Sequence, residues 1–308
     1  MDLLSEILQI VKLRGIVYFL TRFQSPWGME IPAGQFANYH IVTDGECWVN
    51  TNTADKHILL QKGDMVLFPR GDSHALVDSL QSDIVSANEL LNNARKTNSN
   101  EMVFGGEGSH SSSLICGHFE YEREYPHPLF ETLPPFIHIS ARNNPNAQWF
   151  ATASELAAQI STGNSMGKDA VINRLAETLF IQALADYLES IDSLSSFLAA
   201  MQDRHIGLVL KSMHDEIARD WSVMELANIA AMSKSAFSSK FHSMVGVPPI
   251  VYLARWRMLK AREMLIETTM PINLISEKVG YQSEFSFSKA FKKMTGLTPG
   301  AARKSVIV

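Results

Sequence analysis

The chain is 308 residues long, 46% hydrophobic, 19% charged and 9% aromatic, with a net charge of −5, a composition that suits two ordinary globular domains and excludes a disordered or fibrous chain. No apolar run reaches the roughly 18 residues of a membrane span, and Asp2 and Glu6 stand where a secretory leader needs positive charge. Two cysteines, Cys47 and Cys116, are too few for a disulfide scaffold, so free thiols, a cytoplasmic location and no membrane partner are expected.

Asp2 to Leu13 reads as a short amphipathic helix, with Leu3, Ile7 and Ile10 at helical spacing and Gly15 placed to stop it. From Ile16 to about Arg142 the period changes. Short runs at Ile16–Leu20, Ala37–Val42, Cys47–Val49 and Met65–Phe68 alternate with turn signals at Asp44-Gly45, Lys62-Gly63-Asp64 and Arg70-Gly71-Asp72. This spacing predicts an antiparallel sandwich or small barrel. Lys96 to Ser113, rich in Asn, Ser and Gly, reads as a long loop, and strand character resumes at Leu114–Tyr121.

The pattern Gly63-x5-Pro69-x-Gly71-x2-His74 turns the chain around a short strand and delivers His74 to the interior. Tyr39-His40 lies upstream on a predicted strand, and Cys116 and His118, two apart on another, face one side. His40, His74, Cys116 and His118 together suit tetrahedral zinc, with His110 as a substitute for one member. The plainer alternative is a set of ordinary core histidines. Cys47 and Cys116 admit another reading, as thiols that sense an oxidant, which requires access and thiolate character. The glycine-proline-histidine pattern resembles the second sequence motif of cupins, and Tyr39–Gly45 resembles part of the first, which lacks its full set of two histidines and a glutamate. A cupin metalloenzyme ranks last, because no second acid or base accompanies the motif and no catalytic residue is identified.

Beyond Gln148 the pattern is helical. A strong helix covers about Gly167 to Ser190, where Val171, Leu175 and Leu179 form one stripe and Phe180, Leu184 and Leu188 widen it. A face that wide can pack on its own domain and on a second copy of the chain, so a homodimer is expected. Asp192–Ser196 reads as a linker. Charge then reverses: residues up to Asp203 carry 12 Lys+Arg against 24 Asp+Glu, a net of −12, and those from Arg204 carry 15 against 8, a net of +7. A basic tail on an acidic front points to an anionic partner, most simply nucleic acid.

Within that tail the sequence repeats at an offset of 50. Ser233, Phe237, Ser238, Phe241, Met244, Gly246 and Pro249 match Ser283, Phe287, Ser288, Phe291, Met294, Gly296 and Pro299. Each copy reads as a helix-turn-helix: Val223–Ala230, a turn at Ala231-Met232 and a second helix capped by Ser233; then Ile272–Val279, a turn at Gly280–Gln282 and a second helix capped by Ser283. Pro249 to Glu267 is the connecting helix. The paired phenylalanines anchor the core, which leaves Ser235, Ser238 and Ser239 exposed in the first unit, and Glu284, Phe285, Ser286, Lys289, Lys292 and Lys293 in the second. Serines discriminate bases weakly; a lysine reads guanine, a glutamate accepts from cytosine and a phenylalanine presses on a thymine methyl, so the second unit is expected to carry more sequence information.

Ala227–Phe241 and Val279–Lys293, closing with Gly296-Leu-Thr-Pro299, resemble the double helix-turn-helix of the AraC/XylS transcription regulators. The resemblance implies a seven-helix domain whose two recognition helices enter successive major grooves of double-stranded promoter DNA, commonly in activation through RNA polymerase. Where that family often has arginine near the end of the first recognition helix, this chain has Ser239. The front half, with Asn173–Leu184, is similar to the cupin-like sensor of a subset of these regulators, which implies a small-molecule or ion effector and dimerisation. The expected organisation is α+β: a cupin-like antiparallel β-barrel domain over 1–145, a helical dimerisation and linker region over 146–203, and an all-α DNA-binding domain over 204–308.

Overall fold

A computed structural model describes residues 3–11, 14–51, 57–92, 95–96, 102–120, 129, 133–142, 147–162, 166–190 and 197–304. The chain divides into two compact units: Leu13–Tyr121 with Leu133–Ser190, and Ile191–Val308 with Met1–Lys12 and Glu122–Thr132.

The first unit is built on β1 (Arg14–Gln24), β2 (Gly28–Ile31), β3 (Ala37–Asp44), β4 (Glu46–Thr51), β5 (His57–Gln61), β6 (Met65–Phe68), β7 (His74–Val77), β8 (Val85–Ser86), β9 (Arg95–Lys96), β10 (Met102–Gly105), β11 (Ser111–Glu120) and β12 (Ile137–Ile139). They form a seven-stranded sheet, β12-β6-β3-β11-β1-β10-β9, and a five-stranded sheet, β5-β4-β7-β2-β8. Phe23, Val42, Phe68 and Leu114 from the first sheet meet Val49, Leu60 and Leu76 from the second in one buried cluster. The expected barrel is therefore a two-sheet sandwich, not a closed cylinder. Nor is it wholly antiparallel, since β10 lies parallel to β1 and β8 parallel to β2.

Part of the expected loop is strand. Met102-Val-Phe-Gly105 supplies β10 because Phe104 buries itself against Phe23, ring centroids 5.5 Å apart. Ser111–Ser113 already belong to β11, and residues 97–101 lie outside the described residues. The turn before His74 depends on Gly71, whose φ of +70° is left-handed and whose absent Cβ would lie 2.4 Å from the Gly34 carbonyl oxygen.

Helices α2 (Ala87–Asn92), α3 (Ala147–Thr162) and α4 (Lys168–Ser190) complete this unit. α4 is tied to β1 by Asn173 Oδ1, which accepts from the Val17 N–H (3.0 Å), and by Glu177 Oε1, which accepts from the Gly15 N–H (3.0 Å). Its buried stripe is Ile172, Ala176, Leu179, Phe180, Ala183 and Leu184, whereas Val171, expected inward, is 48% exposed. The side chain of Leu188 and the Asp192–Ser196 linker lie outside the described residues. Because α3 and α4 pack on the sandwich, the first unit runs to Ser190, and the expected intermediate region has no core of its own.

The second unit contains α1 (Leu3–Val11), α5 (Phe197–Gln202), α6 (Ile206–Asp215), α7 (Val223–Ile229), α8 (Lys234–Val245), α9 (Pro249–Glu267), α10 (Ile272–Lys278), α11 (Glu284–Thr295) and α12 (Pro299–Lys304). α1, read from sequence as part of the front domain, instead joins the helices: Ile7 and Leu8 are buried, and Glu6 Oε2 lies 3.0 Å from Nδ1 of His214, whose Nε2 is 2.8 Å from the Tyr252 hydroxyl.

Every element of the repeat has a mechanical role. Ser233 and Ser283 are N-caps that accept from the N–H groups of Ala236 and Ser286, and Ser222 and Glu225 form a full capping box on α7. Phe237 with Phe241, and Phe287 with Phe291, are fully buried. Gly246 and Gly296 end their helices in the left-handed region, and Pro249 and Pro299 begin the next ones. The two turns differ by one residue. The left-handed position is Ala231 (φ 51°) in the first and Gly280 (φ 81°) in the second, 49 apart, while the N-cap serines are 50 apart.

Candidate functional site

The two second helices, α8 and α11, carry the residues expected to meet nucleic acid. On α8, Ser235 and Ser239 are exposed and Ser238 is half-buried. On α11, Glu284, Phe285, Ser286, Lys289, Lys292 and Lys293 are all exposed. Phe285 is 80% exposed, a large apolar surface in water with no role in its own core. Among the described residues, Lys289, Lys292 and Lys293 have no ion pair, so their charges are available to an anion. Ser286 is more constrained: its hydroxyl donates to the Ser283 carbonyl (2.9 Å) and accepts from the Ser283 hydroxyl (2.9 Å).

Two lysines on α8 were not singled out by sequence reasoning, and they behave oppositely. Lys240 is held by Asp203 (2.6 Å). Lys234 is exposed in the first turn, where the helix dipole disfavours a cation. Its position directly after the capping serine is the signal that could have found it.

The front-half residues converge only in part. The β3–β11 register sets His40 opposite Cys116, and β7 brings His74 across from the other sheet. All three are buried. His40 Nδ1 lies 3.2 Å from Cys116 Sγ, His40 Nε2 lies 2.8 Å from His74 Nε2, and His74 Nδ1 lies 3.0 Å from the Asp72 carbonyl oxygen. That last acceptor fixes the whole chain of hydrogen bonds. A carbonyl only accepts, so His74 carries its proton on Nδ1 and offers the Nε2 lone pair to His40 Nε2–H; His40 Nδ1 then accepts from the Cys116 thiol.

The electrostatics agree with this neutral chain. Burial holds His40 well below the usual imidazole range, with His74 pushing in the same direction, and burial lowers His74 to about 4. Burial also raises the Cys116 thiol to about 12 and the Cys47 thiol further, so neither resting cysteine has the exposed thiolate that reactivity demands. His118 stands apart, with Nε2 3.5 Å from Glu120 Oε1 and its ring stacked on Phe36 at 4.3 Å. Burial, opposed by Glu120, lowers its pKa.

A metal needs the lone pair of every donor aimed at one point. His40 directs its two nitrogens at different partners, and among the described residues no group of three or more His, Cys, Asp or Glu side chains is arranged to hold an ion. The four expected ligands do not fit a tetrahedral centre in this arrangement. No helix of the described residues is long and apolar enough to cross a membrane.

Comparison with known proteins is consistent with both halves. A family model described as cupin matches residues 2–189, and one described as helix-turn-helix domain matches residues 226–305. A protein of Streptomyces antibioticus described as AraC-like is 31% identical over 99% of each chain. RclR of Escherichia coli, an RCS-specific HTH-type transcriptional activator, is 26% identical over 99% of this chain and 98% of its own. Among solved structures, the C-terminal domain of AraT, a response regulator from Geobacillus stearothermophilus, is 30% identical, covers 33% of this chain and 88% of that one, and has a TM-score of 0.31.

Proposed function

The chain belongs to the AraC-type transcription regulators that carry an amino-terminal cupin domain, and on that basis we propose that it is an effector-responsive activator that reads promoter DNA chiefly through α11. The observation that carries this reading is the exposed face of α11. Glu284, Phe285 and Lys289 present an acceptor, an apolar surface and a donor near the start of a helix whose other side is locked by Phe287 and Phe291. Lys292 and Lys293 follow as phosphate contacts, and Lys234 adds one from α8. The serines of α8 position the first unit and contribute less base reading.

Activation is favoured by the likeness to RclR of Escherichia coli, a transcriptional activator, with RNA polymerase as the partner that activation calls for, and action on promoter DNA implies a cytoplasmic location. Zinc has no part in this reading, because His40 and His74 bond to each other and not to a common point. Homodimerisation is supported by apolar residues left exposed on α3 and α4, Trp149, Leu156, Val171 and Ile181. Sedimentation at micromolar concentration is expected to give the dimer mass, and a monomer alone would remove that element.

Selection of bound duplexes from a random library tests the DNA-reading claim. The expected product is one enriched site with two contacted segments a helical turn apart, roughly 10 base pairs. Recovery of unenriched DNA would refute sequence-specific reading.

A further inference from the structure

We propose that Gln282, in the turn before α11, reads an adenine in the major groove. The proposal rests on the reading of α11 as the helix that meets base edges, and it adds a specificity-determining residue to that face.

The hydrogen bonds of the two turns align them residue by residue, and the alignment leaves Gln282 over. In the first turn the N–H groups of Ala231 and Met232 donate to the carbonyls of Asn228 and Ala227. In the second, those of Gly280 and Tyr281 donate to the carbonyls of Glu277 and Ser276. Donors and acceptors alike are 49 apart, so Tyr281 stands where Met232 does, whereas the capping serines are 50 apart. Gln282 is the extra residue, placed between Tyr281 and the cap, and the first unit has no counterpart to it.

The chain is anchored on both sides of Gln282. Before it, the Tyr281 ring packs edge-on against the buried ring of Phe287, centroids 5.7 Å apart, and Arg257 lies 5.9 Å over it. Arg257 is itself fixed by the carbonyls of Ile217 (2.9 Å) and Arg219 (2.7 Å). After it, Ser283 accepts from the Ser286 N–H (3.2 Å) and donates to the Ser286 hydroxyl (2.9 Å). Between these anchors the Gln282 side chain is exposed, and among the described residues its amide has no hydrogen-bond partner. Met232, the last turn residue of the first unit, is half-buried and apolar, so only the second turn presents a donor and an acceptor ahead of its helix.

Residues at the start of a recognition helix meet base edges in the major groove. A glutamine amide gives its N–H to N7 of adenine and accepts from the N6 amino group, a pairing that needs an acceptor and a donor side by side on one purine. Glu284, Phe285 and Lys289 suit cytosine, thymine and guanine, so Gln282 supplies the face with a partner for adenine.

The test selects duplexes from a random library with the full chain as wild type, Gln282→Ala and Gln282→Glu. The wild type is expected to prefer adenine about tenfold at one position beside the segment contacted by α11. Gln282→Ala should lose that preference alone, and Gln282→Glu should move it to cytosine. Replacing the selected adenine by 7-deazaadenine, which lacks the N7 acceptor, should weaken the wild type about fivefold and leave Gln282→Ala unchanged. The same base preferences in all three proteins, or an equal loss on the 7-deazaadenine duplex in wild type and Gln282→Ala, would overturn the assignment. A wild type that enriches no site would overturn the DNA-reading claim and Gln282 with it, whereas an enriched site indifferent to residue 282 counts against Gln282 alone.

Discussion

Acidification should loosen the sandwich before it loosens the helical unit. His74 is held at about 4 by burial, whereas a histidine in an unfolded chain titrates near 6.5. Because the folded state binds this proton less readily, its contribution to stability is complete above about pH 6.5 and is lost as pH falls toward 4. The whole interval is worth roughly 3 kcal/mol, and by pH 5 the loss is about 2 kcal/mol for His74 alone. His40 is lowered in the same direction and adds to it. The cause is local: a proton on His74 Nε2 faces the Nε2–H of His40 at 2.8 Å and breaks the chain of bonds to Cys116. Hydrogen exchange read by mass spectrometry at pH 7.5 and pH 5, corrected for intrinsic rates, gives the opening free energies. Protection of β3, β7 and β11 is expected to fall about 30-fold, while that of α8 to α11 serves as the internal reference. An equal fall in both units, or none in the sandwich, would refute the neutral hydrogen-bonded chain.

Four further outcomes follow from the geometry. Gly280→Ala places a Cβ 2.6 Å from the Ala218 carbonyl oxygen at a left-handed φ and should cost roughly 2–3 kcal/mol in urea unfolding. Ala231→Gly relieves the equivalent left-handed alanine and should gain about 0.5–1 kcal/mol, and the opposite signs would mean the two turns are not equivalent. Lys293→Ala should lower the slope of log affinity against log salt by about 0.9 with little change in sequence preference; an unchanged slope would remove Lys293 from the phosphate contacts. Native protein at pH 7.5 should resist iodoacetamide at Cys47 and Cys116 and react at both in urea, and rapid native alkylation of Cys116 would contradict its role as a buried donor to His40.

The helical half was readable in the sequence because its signals are local. A capping serine, a phenylalanine pair four apart, a glycine and a proline each act within one turn of their own position, and the repeat stated them twice. The one-residue difference between the turns was legible, two residues at Ala231-Met232 against three at Gly280–Gln282, but alanine at 231 gave no sign of its left-handed backbone. The face of α4 was harder to read, because apolar residues occupy most of its circumference. Ile172 rather than Val171 turns inward, set by the hydrogen bonds of Asn173 and Glu177 to β1. The destination of α1 depends on His214, more than 200 residues away, a contact no periodicity predicts. At the cupin motif, the turn pattern delivered His74 to the interior and alternation put Cys116 and His118 on one side, but the direction of each ring nitrogen is a property of the packed core. His118, two residues from Cys116, was drawn instead to Glu120 and Phe36.

The central role falls to α11 as the reader of DNA sequence. The decisive measurement is the affinity of wild type and Lys289→Ala for the selected duplex and for random duplex at one salt concentration. Loss of about 1–3 kcal/mol on the selected site with little loss on random DNA is the predicted result. Equal losses on both would make Lys289 a phosphate contact and contradict the claim that this helix reads bases.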